Sequence, residues 1–239
     1  MPRIAVIADL HYSQTVITTC RVKRWGHAIP GLLDTALQKL NRETQPDVLL
    51  LAGDIVNDAN DTILLHTLRK HFDSVSCPWF AIPGNHDPSP DLFYRIFPPC
   101  PDYMDIQGVR IIPFPYDLQT ATYQAFRTKK EISRLQQLAA DKHPSVMLQH
   151  VPLFPPGRVC CPYNYENAEQ IIAAAQNCNV RLSISGHFHA GFSPFYDAPF
   201  PILAVPALCE CNFPFAVIDL DENGNMLSYS LSYVHKNEP

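Results

Sequence analysis

Short apolar segments alternate with amphipathic segments along most of the chain. The apolar segments are rich in β-branched residues, which is typical of buried strands, and the amphipathic segments repeat apolar positions every three or four residues, which predicts helices. The predicted strands cover residues 3–8, 47–53, 79–82, 109–114, 145–149 and 181–185. The predicted helices cover residues 31–43, 62–72, 89–97, roughly 120–141, and 165–177.

The alternation of strands and helices predicts an α/β fold with a largely parallel sheet covered by helices. The pattern changes after residue 200, where an apolar run at 202–208 precedes two alternating runs within 215–234. The sequence DENGN at 221–225 separates those two runs and predicts the turn of a β-hairpin. We therefore expect a second, more antiparallel sheet built from the C-terminal strands.

The bulk composition predicts one globular domain spanning residues 1–239. Hydrophobic residues make up 46% of the chain, and no internal repeat or linker-like tract divides it. No apolar run approaches the roughly 20 residues of a membrane helix, and the first residues do not resemble a signal peptide. We expect a cytoplasmic protein without a membrane segment. The net charge of −5 argues against broad nucleic-acid affinity, which usually needs a basic surface.

The eight cysteines form no CxxC pair, and we expect most of them to be reduced. Cys160 with Cys161, and Cys209 with Cys211, are the pairs that lie close enough in sequence to bind a soft metal or to form a redox pair. The ligand spacings of zinc sites are absent around both pairs. The chemistry of the chain is therefore expected elsewhere.

Polar groups that can bind metals follow five of the predicted strands directly. Each of them alone would most often be a strand cap or a loop residue, but five of the ten histidines fall at these strand ends. Because the carboxyl ends of parallel strands lie along one edge of a sheet, we expect these side chains to meet there. The residues are Asp9, His11, Asp54, Asn85, His86, Asp87, His150, His187 and His189.

The number of these groups indicates two metal ions. With His86 and Asp87 set aside, seven side chains remain, whereas a tetrahedral zinc site uses three or four protein ligands. A carboxylate can bridge two ions that lie about 3.5–4 Å apart. Imidazole and oxygen donors without cysteine suit divalent or trivalent ions such as manganese, iron, zinc or nickel.

The order of these residues resembles a known family. The segments DLH at 9–11, GD at 53–54, GNHD at 84–87, LQHVP around His150 and GHFH at 186–189 look like the five motifs of calcineurin-like metallophosphoesterases. The resemblance implies a four-layer α-β-β-α sandwich with two mixed sheets. It implies a first metal site made by Asp9, His11 and His189, a second made by Asn85, His150 and His187, and a bridging Asp54.

The same resemblance implies a dinuclear metal-dependent phosphoesterase. A hydroxide that bridges the two ions would attack phosphorus in line, while the ions neutralise the phosphoryl oxygens. The implied role of His86 is to contact the phosphate and to protonate the leaving oxygen. Asp87 would orient the His86 ring and raise its pKa. The substrate would be a small phosphodiester or a phosphomonoester, with the diester preferred.

Several alternatives remain open at this point. An SbcD-type nuclease shares the GNHD motif, so a nucleic-acid end stays possible although the charge does not favour it. A cyclic nucleotide, a phosphomonoester and a nucleotide-like pyrophosphate are further substrate options. A non-catalytic metal-bound scaffold would be expected to have lost some of the ligands. Related enzymes often form dimers, so a homo-oligomer is also possible.

Substrate specificity is expected in the loops above the metal edge. The loops concerned are 12–28, 88–105, 113–123 and 152–166. Loop 152–166 is stiffened by prolines, and we expect it to form one wall of the substrate pocket. Arg158 in that loop is a candidate for a contact with the substrate phosphate, but a solvent-facing arginine is the favoured interpretation.

Overall fold

The computed structural model describes residues 1–19 and 22–234, so Cys20, Arg21 and the last five residues lie outside the described part of the chain. Within it the chain forms fifteen strands. They are β1 (Arg3–Ile7), β2 (Ile17–Thr19), β3 (Val22–Arg24), β4 (Val48–Leu51), β5 (Trp79–Ala81), β6 (Met104–Ile106), β7 (Val109–Pro113), β8 (Leu118–Gln119), β9 (Ala125–Phe126), β10 (Ser145–Leu148), β11 (Val180–Ser185), β12 (Phe192–Phe195), β13 (Ile202–Ala204), β14 (Pro214–Leu220) and β15 (Met226–Tyr233).

Five α-helices lie between these strands in the same described residues. They are α1 (Ile29–Lys39), α2 (Thr62–His71), α3 (Pro90–Phe93), α4 (Lys129–Leu138) and α5 (Ala168–Asn177). Gly26–Ala28 and Phe72–Ser74 are short 3₁₀ turns, and Leu40–Thr44 continues α1 as a π-helical turn. The π-helical turn explains why the apolar pattern of the first helix extends beyond its α-helical part.

One sheet has five strands in the order β15-β14-β1-β4-β5. β1, β4 and β5 are parallel, with Ile7 opposite Leu51 and Leu51 opposite Ala81. The C-terminal hairpin adds to this sheet, because β14 pairs antiparallel with β1. The prediction that the C-terminal strands form a sheet of their own is therefore wrong. The turn at 221–225 is where the sequence predicted it.

The other large sheet has six strands in the order β12-β13-β11-β10-β7-β6. β7, β10, β11 and β13 are parallel, and β6 and β12 are antiparallel edges. Both large sheets are thus mixed, as predicted. Two hairpins, β2–β3 and β8–β9, stand outside the large sheets.

Three apolar clusters hold these elements together. The central cluster joins the facing sides of the two sheets, with Val6 and Leu50 from one and Leu148 and Ile184 from the other. The two further clusters pack α1, α2 and α3 against the five-stranded sheet, and α4 and α5 against the six-stranded sheet. The fold is therefore mixed α/β, with helices packed on both large mixed sheets.

The prediction of a helix at roughly 120–141 is wrong for the first third of that range. Residues 118–126 form the β8–β9 hairpin, and α4 begins only after Thr128, whose hydroxyl accepts a hydrogen bond from the Glu131 amide at 3.3 Å. The buried guanidinium of Arg127 donates to Asp117 at 2.6 Å. This ion pair draws the segment before the helix back onto residue 117, and a continuous helix would break it.

Among the described residues, no helix has both the length and the apolarity needed to cross a membrane. The cytoplasmic location and the single domain over 1–239 stay predictions.

Candidate metal centre

The carboxyl ends of five parallel strands bring the predicted residues together. Each polar segment follows β1, β4, β5, β10 or β11 within a few residues. The segments are also bonded to one another, since the Asp9 amide donates to the Gly53 carbonyl at 3.1 Å and the Gly186 amide donates to the His150 carbonyl at 3.0 Å. Strand ends from both sheets thus meet at one edge, as the sequence predicted.

Asp9, His11 and His189 form the first cluster. His11 Nε2 lies 3.0 Å from His189 Nε2, and His189 Nε2 lies 3.7 Å from Asp9 Oδ1. One donor atom from each residue falls within 4.8 Å of the other two. Asp9 and His11 are fully buried, so these atoms converge inside the protein. This spacing suits three ligands of one ion.

Asn85, His150 and His187 form the second cluster together with Asp54. His150 Nε2 lies 3.1 Å from Asn85 Oδ1 and 3.2 Å from His187 Nδ1. His150 and His187 are both buried, like the residues of the first cluster. The two clusters therefore place imidazole and oxygen donors in two adjacent groups, one on each side of Asp54.

The Asp54 carboxylate lies between the two clusters. Its Oδ2 is 3.4 Å from His11 Nε2 and 3.4 Å from His150 Nε2. Burial opposes ionisation of Asp54, but His150 and His11 outweigh it, and the pKa of Asp54 lies well below its ordinary value. Asp54 is thus an ionised, buried carboxylate in contact with both groups of histidines.

Three histidines have their second ring nitrogen fixed by an acceptor. His150 Nδ1 donates to the Ala52 carbonyl at 2.7 Å, and His187 Nε2 donates to the Tyr123 carbonyl at 3.2 Å. His189 Nδ1 donates to Glu210 Oε1 at 2.5 Å. Each of these bonds directs the lone pair of the other nitrogen into the cluster, which is the arrangement of metal-binding histidines. The residues present therefore fit a pair of metal ions.

His11 is held differently from the other three histidines. Its Nδ1 lies 3.5 Å from the guanidinium nitrogen Nη1 of Arg24, which is itself a donor. Burial and the nearby Arg24 and His189 lower the pKa of His11 well below its ordinary value, against the pull of Asp54. His11 is thus a neutral imidazole, and its Nε2 is the nitrogen that faces the cluster.

Burial is the largest single influence on the pKa of Asp9, His187 and His150. It raises the pKa of Asp9 to about 6, although His189 and His150 oppose it. Burial and the neighbouring His150 lower the pKa of His187 to about 3. For His150 burial acts in the same downward direction, but Asp54 outweighs it and raises the pKa to about 9. Buried charges of this kind are stable when they are paired or coordinate metals.

The backbone at the centre is left-handed at four of the predicted ligands. Asp9, His11, Asp54 and His187 have φ angles of 54°, 45°, 54° and 64°. Such conformations are uncommon for residues other than glycine and cluster at functional sites. The strain is held by the surrounding bonds, since the His187 amide donates to both Asp9 carboxylate oxygens at 3.1 and 3.0 Å.

Glycines precede three of the ligand segments because the segments touch there. A Cβ on Gly84 would lie 2.2 Å from Asp54 Oδ1, and one on Gly186 would lie 2.8 Å from Asp9 Oδ2. A Cβ on Gly53 would lie 2.5 Å from His150 Nδ1. The glycines of these motifs therefore allow the strand ends to approach closely enough for their side chains to converge.

His86 lies next to the first cluster, with its ring centroid 4.7 Å from that of His11. Its Nδ1 donates to the Asn57 carbonyl at 2.8 Å, and its amide donates to Asp54 Oδ1 at 2.8 Å. The first bond leaves Nε2 as the nitrogen that can exchange a proton. Because the ring lines the cavity above the centre, a substrate can reach it.

Asp87 does not orient His86, and the predicted contact between them is wrong. The Asp87 carboxylate instead accepts hydrogen bonds from the Ile55, Val56 and Gly84 amides at 2.9, 3.0 and 2.9 Å. It therefore fastens the turn that carries Asp54 to the turn that carries Asn85. Burial and the charge of Asp54 raise the pKa of Asp87 to about 7.

Glu210 is a contact of the centre that the sequence interpretation missed. It follows the apolar segment 202–208, whose first part is strand β13, so the strand-end rule would have found it if applied to that segment. Cys209 is buried beside it, and donor atoms of Cys209, Glu210 and His189 lie within 4.8 Å of one another. Cys160 and Cys161 are free thiols away from this group.

A cavity of about 690 Å³ opens above the centre. Three of the four predicted loops contribute to its lining, through Thr19, Tyr123 and Tyr163 among others, whereas loop 88–105 does not. Arg24 is the one lysine or arginine that lines the cavity within the described part of the chain. Arg158 pairs with Asp197 at 3.0 Å on the exposed surface and does not line the cavity, which is the solvent-facing position that the sequence favoured.

Comparisons with known proteins show which family and which relatives this chain is similar to. The sequence model of the family described as calcineurin-like phosphoesterase matches residues 2–191. A probable cyclic nucleotide phosphodiesterase of Synechococcus sp. is 28% identical over 207 residues, which cover 79% of this chain and 74% of the relative. Another, from Coxiella burnetii, is 24% identical over 220 residues, covering 87% and 83%.

Solved structures show the same fold. A dimetal phosphatase from Danio rerio superposes with a TM-score of 0.74 and 16% identity, over 98% of this chain and 100% of the other. A purple acid phosphatase from yellow lupin superposes with a TM-score of 0.63 and 14% identity, over 99% of this chain and 52% of the other. At these identities the likeness shows a shared fold.

Removal of the Glu210 carboxylate should weaken metal binding. We expect Glu210→Ala to lower the affinity for manganese by about 10- to 100-fold, because His189 loses the acceptor that fixes its ring. Equilibrium manganese binding measures this, and Glu222→Ala, in the exposed turn after β14, is the matched control. Equal affinities of the two variants would show that Glu210 does not hold the ring.

Removal of the Asp87 carboxylate should destabilise the fold. Three backbone amides lose their acceptor in Asp87→Ala, so we expect the free energy of unfolding of the metal-free protein to fall by about 3 kcal/mol. In His86→Ala, which loses one side-chain hydrogen bond, the fall should be about 1 kcal/mol or less. Urea denaturation compares the two. An Asp87 variant as stable as the wild type would show that these hydrogen bonds do not hold the two turns together.

Proposed function

The chain belongs to the calcineurin-like phosphoesterase family, and on that premise we propose that it is a phosphodiesterase that uses two metal ions. The observation that carries this proposal is the position of the ionised Asp54 carboxylate. Its Oδ2 lies at the same 3.4 Å distance from a histidine of each cluster. A carboxylate so placed can bridge two ions, and a single ion would leave one of the clusters without a function.

The ligand roles follow the two clusters. In this proposal one ion is held by Asp9, His11 and His189, and the other by Asn85, His150 and His187, with Asp54 shared. Asn85 contributes a neutral oxygen, so the second ion keeps more of its positive charge than it would beside a third carboxylate. When bound, the two ions would lower the pKa of a water molecule and neutralise the charge of the phosphoryl oxygens.

His86 supplies the proton for the leaving oxygen in this proposal. Its Nδ1 proton is engaged by the Asn57 carbonyl, so the second proton of the charged ring lies on Nε2. The leaving alkoxide of a phosphodiester is strongly basic, and a proton donated from Nε2 stabilises it as it departs. Asp87 takes part only indirectly, through the turn that it fastens.

A small phosphodiester, in particular a cyclic nucleotide, is the proposed substrate class. Two relatives with substantial coverage carry the description probable cyclic nucleotide phosphodiesterase. The cavity volume of about 690 Å³ accommodates a ligand of nucleotide size. Its lining contains one guanidinium among the described residues, which suits a small anionic ester better than a nucleic-acid backbone with a phosphate at every nucleotide.

Metal removal combined with a substrate panel tests the proposed function. We expect chelation to abolish hydrolysis of bis(p-nitrophenyl) phosphate and of a 3′,5′-cyclic nucleotide, and added manganese to restore both activities. The kcat/KM for the diesters should exceed that for p-nitrophenyl phosphate. A higher value for the monoester would make the enzyme a phosphomonoesterase, and no turnover with manganese, zinc, iron or nickel would favour a metal-bound scaffold.

Substitution of His86 separates proton transfer from metal binding. We expect His86→Ala to lower kcat for a 3′,5′-cyclic nucleotide by about 100-fold or more, because its alkoxide leaving group needs a proton. The effect should be much smaller for bis(p-nitrophenyl) phosphate, whose leaving group needs none. Metal content, measured on the same preparation, should equal that of the wild type. Wild-type turnover of the cyclic nucleotide with both ions bound would contradict this role.

A further inference from the structure

Two tyrosine rings form one side of the cavity beside the second cluster. The ring of Tyr163 lies 4.6 Å from the ring of His187, and the Tyr123 ring lies 6.3 Å from that of Tyr163. Tyr123 is 53% exposed and Tyr163 is half-buried, although both rings line the cavity. An open aromatic surface thus adjoins the histidines that would hold the second ion.

The backbone of Tyr123 connects this surface to the metal centre. Tyr123 lies in the tight turn between β8 and β9 and has a left-handed φ of 61°. Its carbonyl accepts the hydrogen bond from His187 Nε2 at 3.2 Å. One residue therefore fixes a metal-binding ring through its carbonyl while its own side chain faces the cavity. That hydrogen bond ties the Tyr123 backbone directly to His187.

We propose that Tyr123 and Tyr163 bind the aromatic base of a nucleotide ester whose phosphate lies at the metal centre. This proposal rests on the proposed function and extends it to residues that determine specificity. Any of the bases can stack on aromatic side chains, because every base has a π face. Apolar residues of the β2–β3 hairpin, Ile17 and Val22, also line the cavity and favour an organic group over water.

The proposal separates nucleoside phosphoesters from esters without an aromatic group. A sugar phosphate can reach the ions but leaves the tyrosine rings in contact with water. A nucleoside phosphate covers them and gains the stacking contribution. The enzyme should therefore discriminate by the presence of a base, and only weakly by which base it is, since no hydrogen-bond readout is required for stacking.

Binding of two matched phosphates tests this without requiring turnover. Adenosine 5′-monophosphate and ribose 5-phosphate carry the same phosphate with and without a base. We expect the manganese-loaded full chain to bind the nucleotide at least about tenfold more tightly by calorimetry. The Kd for ribose 5-phosphate divided by the Kd for adenosine 5′-monophosphate should fall about tenfold in Tyr123→Asn. Asparagine tolerates the left-handed backbone but lacks the aromatic ring.

Three further variants serve as independent tests and controls. Tyr123→Phe keeps the ring and should keep most of the preference for the nucleotide over the sugar phosphate. Tyr163→Ala should lose that preference, and it provides an independent test if Tyr123→Asn does not bind metal. Tyr196→Ala, at an exposed position outside the cavity lining, should keep the wild-type ratio. A wild-type ratio near one, or an unchanged ratio in both Tyr123→Asn and Tyr163→Ala, would overturn the inference. Either result would leave the phosphodiesterase proposal standing, since that depends on hydrolysis.

Discussion

The buried Asp54 carboxylate is the group on which the rest of the centre depends. It is ionised in a fully enclosed environment and contacts His11 on one side and His150 on the other. A buried charge of this kind is costly unless positive charge is supplied close to it. Histidines alone supply that charge only by taking up protons, whereas two metal ions supply it at neutral pH and leave every imidazole free to act as a ligand.

The architecture around Asp54 follows from the need to bring distant segments within bonding distance. Strand ends from both sheets supply ligands, and glycines at the start of the motifs let the segments approach. Hydrogen bonds from backbone amides to Asp87 and Asp9 then hold the turns in strained conformations. Stability and chemistry are thus coupled here, because Asp87 and Asp9 hold together the turns that carry Asp54, Asn85 and His187.

Most residues of the centre could be predicted from the sequence, because the carboxyl ends of parallel strands lie along one edge of a sheet. The nine residues predicted from that rule do lie at one edge. The contacts of Asp87 with the Ile55 and Val56 amides could not be predicted, since those amides lie about 30 residues earlier in the chain. The helix predicted at 120–141 was wrong because the ion pair of Arg127 with Asp117 is a tertiary contact. Glu210 was missed because its strand was placed in another sheet, away from the centre.

The central claim is that two ions share Asp54, and anomalous X-ray diffraction from crystals of the manganese-loaded protein tests it most directly. If two ions share Asp54, two anomalous peaks should lie within bonding distance of its carboxylate. One peak should lie against Asp9, His11 and His189, and the other against Asn85, His150 and His187. A single peak under saturating manganese, or two peaks of which only one contacts Asp54, would contradict it.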